Sequence, residues 1–193
     1  LAVKRDGTVW RWGANTGATP TQVSGLSNIV AVAAGSDHQL ALKSDGTVWA
    51  WGDNTSGQLG DGTTTTHWTP AQVIGLTGVR SIAAGDDFSL AVEGDGSASG
   101  WVWAWGKNSD GQLADGTSLA RTVPARIAGL SGVAQVAAGD AFALARLADG
   151  TVRSWGKNDL GQLGVGSSTI SVPGVQRVEP LINIRSISAS SFH

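Results

Sequence analysis

Residues 40–52 read LALKSDGTVWAWG, a run of β-forming residues, an Asp-Gly pair and a second run that ends in Trp-Gly. The same order returns at residues 1–13 (LAVKRDGTVWRWG), at residues 90–106 with an insertion (LAVEGDG, then VWAWG), and at residues 144–156 (LARLADGTVRSWG). Self-similarity at a period of about 50 residues is typical of repeat architectures. We therefore interpret the chain as a single array of four units, 1–39, 40–89, 90–143 and 144–193.

Each unit contains four short segments of β character, which in the second unit are Leu40–Lys43, Thr47–Gly52, Pro70–Leu76 and Val79–Gly85. An Asp-Gly pair between the first two is a strong signal for a tight hairpin. No segment keeps a 3.6-residue apolar period, so we expect almost no helix. Hairpin-linked strands favour propeller blades over the single-strand coils of a solenoid. The sequence predicts an all-β β-propeller of four-stranded antiparallel blades, about four in this chain, in a whole or a partial propeller.

Composition excludes several classes of protein. Thirteen Lys plus Arg against 15 Asp plus Glu give a net charge of -2, which provides no basic surface for nucleic acid. The absence of Cys excludes disulfides and thiolate metal sites. No apolar run reaches the roughly 18 residues of a membrane span, and no signal segment opens the chain. Because the first residue is Leu1 rather than Met, we expect a processed or excised piece.

One tryptophan position is shared by all four units, and a glycine follows it. A buried Trp removes roughly 200 Å² from water, worth on the order of 4 to 5 kcal/mol at about 25 cal/mol/Å². These residues are therefore predicted to organise the packing between blades. The structural residues in this prediction are Trp12, Trp51, Trp105, Trp155, Gly52, Gly106 and Gly156.

A second tryptophan position lies two residues earlier in each unit. Trp10, Trp49 and Trp103 occupy it, and Arg153 replaces the fourth, so the position tolerates polarity. We expect these side chains to be partly exposed and available for contacts.

Two units carry insertions that add further aromatic residues. The second unit contains TTTTHWTP, with His67 and Trp68, and the third adds Trp101 after SASG. Insertions on a rigid scaffold are natural recognition sites, and Trp is a favoured anchor residue. Folding of each Trp back onto its own blade is the alternative. The candidate partner-binding residues are His67, Trp68, Trp101, Trp49 and Trp103.

Histidine positions do not form a catalytic or metal site. His38 aligns with phenylalanine in the other units: Phe88, Phe142 and Phe192. We therefore interpret His38 as a packed aromatic residue rather than a base or a ligand. The remaining histidines, His67 and His193, complete no zinc set.

Carboxylates give no catalytic or calcium site either. Asp53 opens a loop with the look of a calcium loop, but Lys107 and Lys157 stand at the equivalent position in the next units. Glu93 and Glu179 have no partner for a paired-carboxylate mechanism. We predict no catalytic residue, no metal and no cofactor, and hence no enzyme.

The string AAGxxHxLALxxDGTVWxWGxNxxGQLGDG is matched at residues 83–116, apart from an insertion and small substitutions, and returns in part with Asn158 and Gly161-Gln162-Leu163-Gly164. It resembles the regulator of chromosome condensation repeat, in its bacterial type, over the whole chain. The resemblance implies a β-propeller, in that family typically of seven blades. The family includes a nucleotide-exchange factor for a small GTPase, ubiquitin ligases and a secreted bacterial β-lactamase inhibitor, which share a propeller that presents loops to another protein.

Two functions are consistent with this resemblance. The first is a non-enzymatic propeller module that binds a protein of unknown identity. The alternative is a structural or self-assembling component of a secreted or cell-surface bacterial protein, and a guanine nucleotide exchange factor ranks third. We expect an extracellular or cell-surface location, with the cytoplasm left open.

The two ends of the chain are related in register. Ser191 and Phe192 align with segments that elsewhere lead directly into Leu40 and Leu90, so His193 is followed in register by Leu1. We expect a fragment of a longer array or a half-propeller that another chain, a second copy or further blades, completes.

Overall fold

The computed structural model describes residues 1–13, 17–94, 100–168 and 170–191, and it contains fifteen strands and no helix within these ranges. No helix in the described part of the chain is therefore long and apolar enough to cross a membrane. The predicted turn at Asp95-Gly96, most of the SASG insertion, Phe192 and His193 lie outside the described residues.

The strands form four antiparallel sheets, which we number as blades one to four. Blade one has three described strands, in the order β1 (Ala2–Val3), β2 (Val9–Gly13) and β3 (Gly17–Gln22). Blade two contains β4 (Ile29–Ala34), β5 (His38–Lys43), β6 (Val48–Gly52) and β7 (His67–Gln72). Blade three contains β8 (Val79–Ala84), β9 (Phe88–Glu93), β10 (Trp101–Gly106) and β11 (Arg121–Arg126). Blade four contains β12 (Val133–Ala138), β13 (Phe142–Leu147), β14 (Val152–Lys157) and β15 (Ser171–Arg177). The predicted all-β propeller is confirmed.

The sheets are offset from the sequence units. The last segment of each unit becomes the inner strand of the next blade, so β4, at the end of the first unit, pairs with β5 in the second. The outer strand of blade two also differs from the predicted Pro70–Leu76, because it begins at His67 and ends at Gln72. The three inner strands β4, β8 and β12 bring the three AAG segments, at residues 33–35, 83–85 and 137–139, to the propeller axis.

The Asp-Gly hairpins are held by a local hydrogen-bond pattern. Asp45 Oδ1 accepts from the Thr47 amide at 3.0 Å and from the Thr47 hydroxyl at 2.6 Å. These two bonds hold the pKa of the exposed Asp45 carboxyl below its usual range. Gly46 has φ +81°, and a Cβ on it would lie 2.8 Å from the backbone of Gly78. The glycine is therefore required both by conformation and by the close approach of the next blade.

Most of the apolar core lies between blades. Trp105 of blade three packs among the buried side chains of blade two, and Trp155 of blade four packs among those of blade three. The Trp105 indole donates to the Gln58 carbonyl at 2.8 Å, and the Trp155 indole donates to the Gln112 carbonyl at 2.8 Å. Each of these tryptophans thus fastens its blade to the preceding one.

Trp51 makes the same packing against blade one, but its buried indole N–H has no hydrogen-bond partner among the described residues. The reason lies in the sequence, because the first unit lacks the Gly-Gln-Leu loop whose carbonyl accepts this proton elsewhere. The joint between blades one and two therefore rests on apolar contact alone at this position.

Trp12 does not share the burial expected for its position. Its side chain is 47% exposed, whereas Trp51, Trp105 and Trp155 are 0% exposed. The difference follows from the packing rule, since each tryptophan is covered by the preceding blade and the described residues place no blade before blade one. Trp12 is therefore corrected from a core residue to a surface residue in this structure.

His38 is fully buried between blades two and three. Its Nε2 lies 2.9 Å from the Ser89 hydroxyl, which itself donates to the Gln58 carbonyl at 2.9 Å. Because the serine proton is used in that bond, Nε2–H donates to Ser89 and Nδ1 is the unprotonated nitrogen, which has no partner among the described residues. Burial lowers the pKa of His38 to about 4.

We expect the stability of the protein to fall as the pH falls from about 6.5 to about 4 because of His38. Over this range the unfolded chain binds a proton at His38 and the folded chain does not. His38→Phe, which introduces the residue of the other blades, should remove this dependence. The unfolding free energy of the variant minus that of wild type should be about 2 kcal/mol larger at pH 5 than at pH 7.5. Urea unfolding at both pH values measures this; parallel pH curves would contradict it.

Candidate functional site

The propeller has two ends, which we call the hairpin face and the loop face. The hairpin face carries the Asp-Gly turns between the two middle strands of each blade. The loop face carries the Gly-Gln-Leu loops and the turns that follow the inner strands. The candidate contact residues divide between these faces: His67 pairs with Gly52 at the loop face, whereas Trp101 pairs with Glu93 near the hairpin. The structure therefore does not bring Trp68 and Trp101 together.

Trp68 lies on the outer strand β7 at the loop face and is 53% exposed. The preceding residue is fixed in place, because His67 Nδ1 lies 2.9 Å from the Thr69 carbonyl and Nε2 lies 3.1 Å from Asp61 Oδ2. The sequence predicts both residues in a loop, whereas they begin strand β7: His67 pairs with Gly52, and Trp68 lies in the bulge that follows this pair. An exposed indole on a rigid strand is a preorganised contact.

Trp101 begins strand β10 and is half-buried. The guanidinium carbon of Arg126 lies 3.1 Å from the centre of its ring, a stacked cation–π arrangement. Sequence reasoning missed Arg126, for which the only signal was its position at the end of the outer strand, one strand away. The indole thus has a partner on its own blade.

Trp49 and Trp103 lie on the same face and are also half-buried. The Trp103 indole donates to Glu93 Oε2 at 2.8 Å, and the Lys43 ammonium lies 5.7 Å from the centre of the Trp49 ring. Both rings pack partly against the apolar clusters between blades. The hairpin face therefore presents aromatic residues that already contact charged side chains, through the indole N–H in Trp103 and through the ring face in Trp49 and Trp101.

The long loops of the loop face are built on buried asparagines. Asn54 Nδ2 donates to Asp61 Oδ1 and to the Thr63 carbonyl, each at 3.2 Å, and its Oδ1 accepts from the Leu59 amide at 3.0 Å. The same arrangement surrounds Asn108 in blade three. Asn54 also begins an Asn-Thr-Ser sequon, but its amide is 0% exposed and committed to the loop. The sequon is therefore not presented for glycosylation in the folded chain.

Carboxylates in these loops are satisfied by neighbouring donors. Burial raises the pKa of Asp115, but bonds from Thr117, Arg121 and Asn108 outweigh it and lower the pKa to about 2. The pKa of Asp61 is also held below its usual range: burial raises it, but hydrogen bonds from Thr63, Asn54 and His67 outweigh this effect. Within the described ranges no group of three or more His, Cys, Asp or Glu side chains is placed to hold a metal ion. These carboxylates stabilise the loops.

A cavity of about 290 Å³ lies at the axis on the loop face. It is lined by one Ala-Gly-Ser or Ala-Gly-Asp segment from each of three blades and by a fourth, related segment: residues 34–36, 84–86, 138–140 and 189–191. The recurrence of these segments is visible in the sequence, but recurrence alone does not show that they surround a cavity. Its polar groups are serine hydroxyls and the carboxylates of Asp86 and Asp140.

Backbone bonds link the segments around this cavity. The Ser36 amide donates to the Asp86 carbonyl at 3.3 Å, the Asp86 amide to the Asp140 carbonyl at 2.9 Å, and the Asp140 amide to the Ser191 carbonyl at 3.3 Å. The Ser36 hydroxyl also donates to the Asp86 carboxylate. These backbone groups and the Ser36 hydroxyl are therefore used in hydrogen bonds between neighbouring blades.

Known proteins support the repeat assignment. The regulator of chromosome condensation (RCC1) repeat model matches residues 45–92, 99–146 and 149–193, and a second model of the same repeat matches residues 29–58, 79–112 and 133–162. A comparison with curated proteins found no match.

Solved structures show the same architecture. Yeast RCC1 (Prp20), solved bound to Kap60, is 28% identical, with 96% of this chain and 48% of that chain covered and a TM-score of 0.78. A second structure of Prp20p from Saccharomyces cerevisiae, described with its binding properties to Gsp1p and histones, gives 28% identity, 96% and 50% coverage and a TM-score of 0.80. Human WBSCR16 gives 25% identity, 98% and 52% coverage and a TM-score of 0.83. The chain spans about half the length of these proteins. With repeat models matched over well more than half of its residues, the chain belongs to the regulator of chromosome condensation repeat family.

Proposed function

We propose that this chain is a non-enzymatic propeller module that binds a protein partner through its loop face, with Trp68 as the anchor and His67 beside it. The observation that carries the proposal is the 53% exposure of Trp68 on a strand whose neighbour His67 is fixed by Asp61. The other candidate tryptophans are half-buried and already contact charged side chains. Among the candidate contact residues, Trp68 is therefore the tryptophan with the largest exposed fraction.

Related proteins support binding as the general role. Yeast RCC1 has been solved with Kap60, and Prp20p is described with binding to Gsp1p and histones. We propose the same general use of the scaffold here, with a partner of unknown identity. Trp101, Trp49 and Trp103 on the hairpin face form a second candidate contact surface within this proposal. Nucleotide exchange on a small GTPase is a less favoured proposal than protein binding, since none of the residues described above has an assigned role in exchange.

Burial of the exposed part of Trp68 sets the expected affinity effect. About half of the roughly 250 Å² of a tryptophan side chain, at about 25 cal/mol/Å², corresponds to about 3 kcal/mol. Trp68→Ala should therefore weaken partner binding by roughly a hundredfold. Its melting temperature should stay close to wild type, because the side chain contributes little to the core.

The experiment captures partners with the wild-type chain as bait and then measures the Kd of each captured protein by calorimetry. Leu119→Ala is the matched control, since Leu119 is 72% exposed on a loop of blade three. Trp101→Ala tests the hairpin face. Unchanged affinity for Trp68→Ala, together with weakened binding for Trp101→Ala, would move the contact to the hairpin face and contradict the proposal.

We also propose an extracellular or cell-surface location in a bacterium. The support is compositional, with 28 Gly, no Cys and only 15% charged residues. Fractionation of the source cells, with detection of the chain in the medium, on the surface or in the cytoplasm, tests this location directly.

A further inference from the structure

The Gly-Gln-Leu loop of blade two is seated on blade three. The Gln58 carbonyl of this loop accepts from the Trp105 indole at 2.8 Å. The neighbouring Gly57 lies against the outer strand of blade three, since a Cβ on Gly57 would be 2.8 Å from the Thr122 Cα. The Gly62 amide, at the end of the loop, donates to the Thr122 carbonyl at 2.9 Å. One loop thus contacts both the buried tryptophan and the second residue of the outer strand.

The loop of blade three is seated on blade four in the same way. The Gln112 carbonyl accepts from the Trp155 indole at 2.8 Å. A Cβ on Gly111 would be 2.5 Å from the Cα of Pro173 in the outer strand. The seat is therefore a repeated structural feature of the array. It takes a turn with a carbonyl for the indole and a glycine that approaches the strand closely.

The seat on blade two has no loop, because blade one lacks one. Gly13 pairs with Gly17, so only three residues connect β2 to β3, against fourteen from β6 to β7. The indole N–H of Trp51 is buried without a partner among the described residues. Trp68 holds the position of Thr122, since each follows the residue that pairs with the glycine of the neighbouring strand, and it is 53% exposed. The empty seat lies inside the chain, between two described blades.

Arg11 lies beside the empty seat. It holds the position of Ser154 in blade four, whose hydroxyl donates to the Leu163 carbonyl of its own loop at 2.9 Å. Arg11 therefore faces the space that a loop of blade one would fill. Its side chain is half-buried and makes no ion pair among the described residues. We call the space bordered by Arg11, Trp51 and Trp68 the notch.

We infer that the notch binds a glycine-containing turn of the protein partner, which offers a backbone carbonyl to the Trp51 indole and a carboxylate to Arg11. The inference rests on the proposed function, because it names the chemistry that the partner brings to Trp68. The two seated loops show the shape of the occupant. The Arg11 charge supplies the electrostatic complement, and an opposite charge on the turn fixes its register.

Two features of the notch favour its occupation. A buried donor without an acceptor costs free energy that a carbonyl recovers when it binds. Because Trp51 is 0% exposed, we expect the Arg11 side chain to move as the turn enters, and a carboxylate on the turn gives the guanidinium a new position. Trp68 then loses its exposure to solvent under the turn, as Thr122 is covered by the loop of blade two.

A cyclic peptide with residues 53–66 of this chain, DNTSGQLGDGTTTT, is the probe. It contains a seated loop with its glycine, its carbonyl and two carboxylates. Its ends can be joined because the Thr66 hydroxyl donates to Asp53 Oδ1 at 3.0 Å, and ring closure lowers the entropy cost of binding. The peptide should bind the 193-residue chain in calorimetry. In NMR spectra the Trp51 indole proton, identified by its absence in Trp51→Phe, should move downfield.

Two peptide variants test the fit without any risk to the fold of the chain. Gly57→Val in the peptide should weaken binding at least about tenfold, because the seated loop leaves no room for a side chain there. Thr64→Val is the matched control, since Thr64 is exposed in the loop. It should leave the affinity unchanged.

Variants of the chain test the two polar contacts. Trp51→Phe removes the indole N–H and should weaken peptide binding about five- to tenfold. Trp105→Phe is its control, because the loop of blade two already accepts from that indole, and it should bind the peptide as wild type does. Arg11→Ala should weaken binding about two- to fivefold, and this difference should shrink as salt screens the charge pair.

Failure of the inference can be told apart from failure of the proposed function. A wild-type chain that does not bind the cyclic peptide at about 1 mM, or a Trp51→Phe chain that binds it equally well, would overturn the inference. A captured partner that depends on Trp68 but is not displaced by the peptide would also overturn it, with the proposed function left standing. A captured partner that is insensitive to Trp68→Ala contradicts the proposed function even where the peptide binds in the notch.

Discussion

Trp105→Ala should destabilise the protein by about 3 to 5 kcal/mol, the range for a fully buried tryptophan, and lower the melting temperature by roughly 10 °C. The side chain is 0% exposed and fills the space between blades two and three. Its removal also leaves the Gln58 carbonyl without the indole donor at 2.8 Å. The lost packing and the lost hydrogen bond both lie between blades two and three, so a shift of one blade does not restore both.

The first unit provides the matched control for this variant. Trp12→Ala changes the same sequence position, but the side chain is 47% exposed and should cost less than about 1 kcal/mol. Thermal unfolding of both variants is compared with that of wild type under the same conditions. Equal losses for the two variants would show that burial by the preceding blade is not what stabilises this tryptophan.

Gly106→Ala should cost at least about 3 kcal/mol, from backbone strain and steric overlap together. Gly106 has φ +98°, and a Cβ would lie 2.5 Å from the Asp87 carbonyl oxygen and 2.8 Å from the Phe88 Cα. These are backbone atoms of the residue before strand β9 and of its first residue, and Phe88 cannot move without breaking its pairing with Gly106. The glycine is thus needed by conformation and by space.

Gly13→Ala separates these two causes. Gly13 has φ +111°, yet no heavy atom of the described residues lies within 4 Å of its Cβ position. It should cost about 1 kcal/mol, the share that belongs to the backbone conformation alone. Urea unfolding measures the stability of both variants. If Gly13→Ala lost as much unfolding free energy as Gly106→Ala, the backbone conformation alone would explain the effect and steric overlap would not be needed.

Much of the fold could be predicted because the repeat encodes it locally. The Asp45 side chain and the positive φ of Gly46 are enough to define a hairpin. The flanking strands can likewise be recognised from their own residues, without knowledge of contacts far away in the sequence. The outer strand of blade two was predicted too late in the sequence, at Pro70–Leu76, because His67 enters the sheet by pairing with Gly52 rather than by its own strand propensity. Its neighbour Trp68 was therefore interpreted as a loop residue.

The site was less accessible to sequence reasoning than the fold. The exposure of Trp12 depends on whether another blade precedes blade one. The repeat alignment cannot show this, because Trp12 occupies the same position as the three buried tryptophans. The stacking of Arg126 on Trp101 joins two strands that lie far apart in sequence. Trp68 and Trp101 both come from insertions, and only the register of their strands shows that they point to opposite ends of the propeller.

Three amide bonds along the axis link blade two to blade three, blade three to blade four, and blade four to residues 189–191, through Ser36, Asp86, Asp140 and Ser191. Coupling of this kind is one-dimensional, since each unit exchanges free energy only with the units beside it. Blades two and three are flanked on both sides, whereas blades one and four each have a single neighbouring blade within the described residues. For these described blades we expect backbone amides of blades two and three, which have a neighbour on each side, to exchange with solvent more slowly than those of blade one.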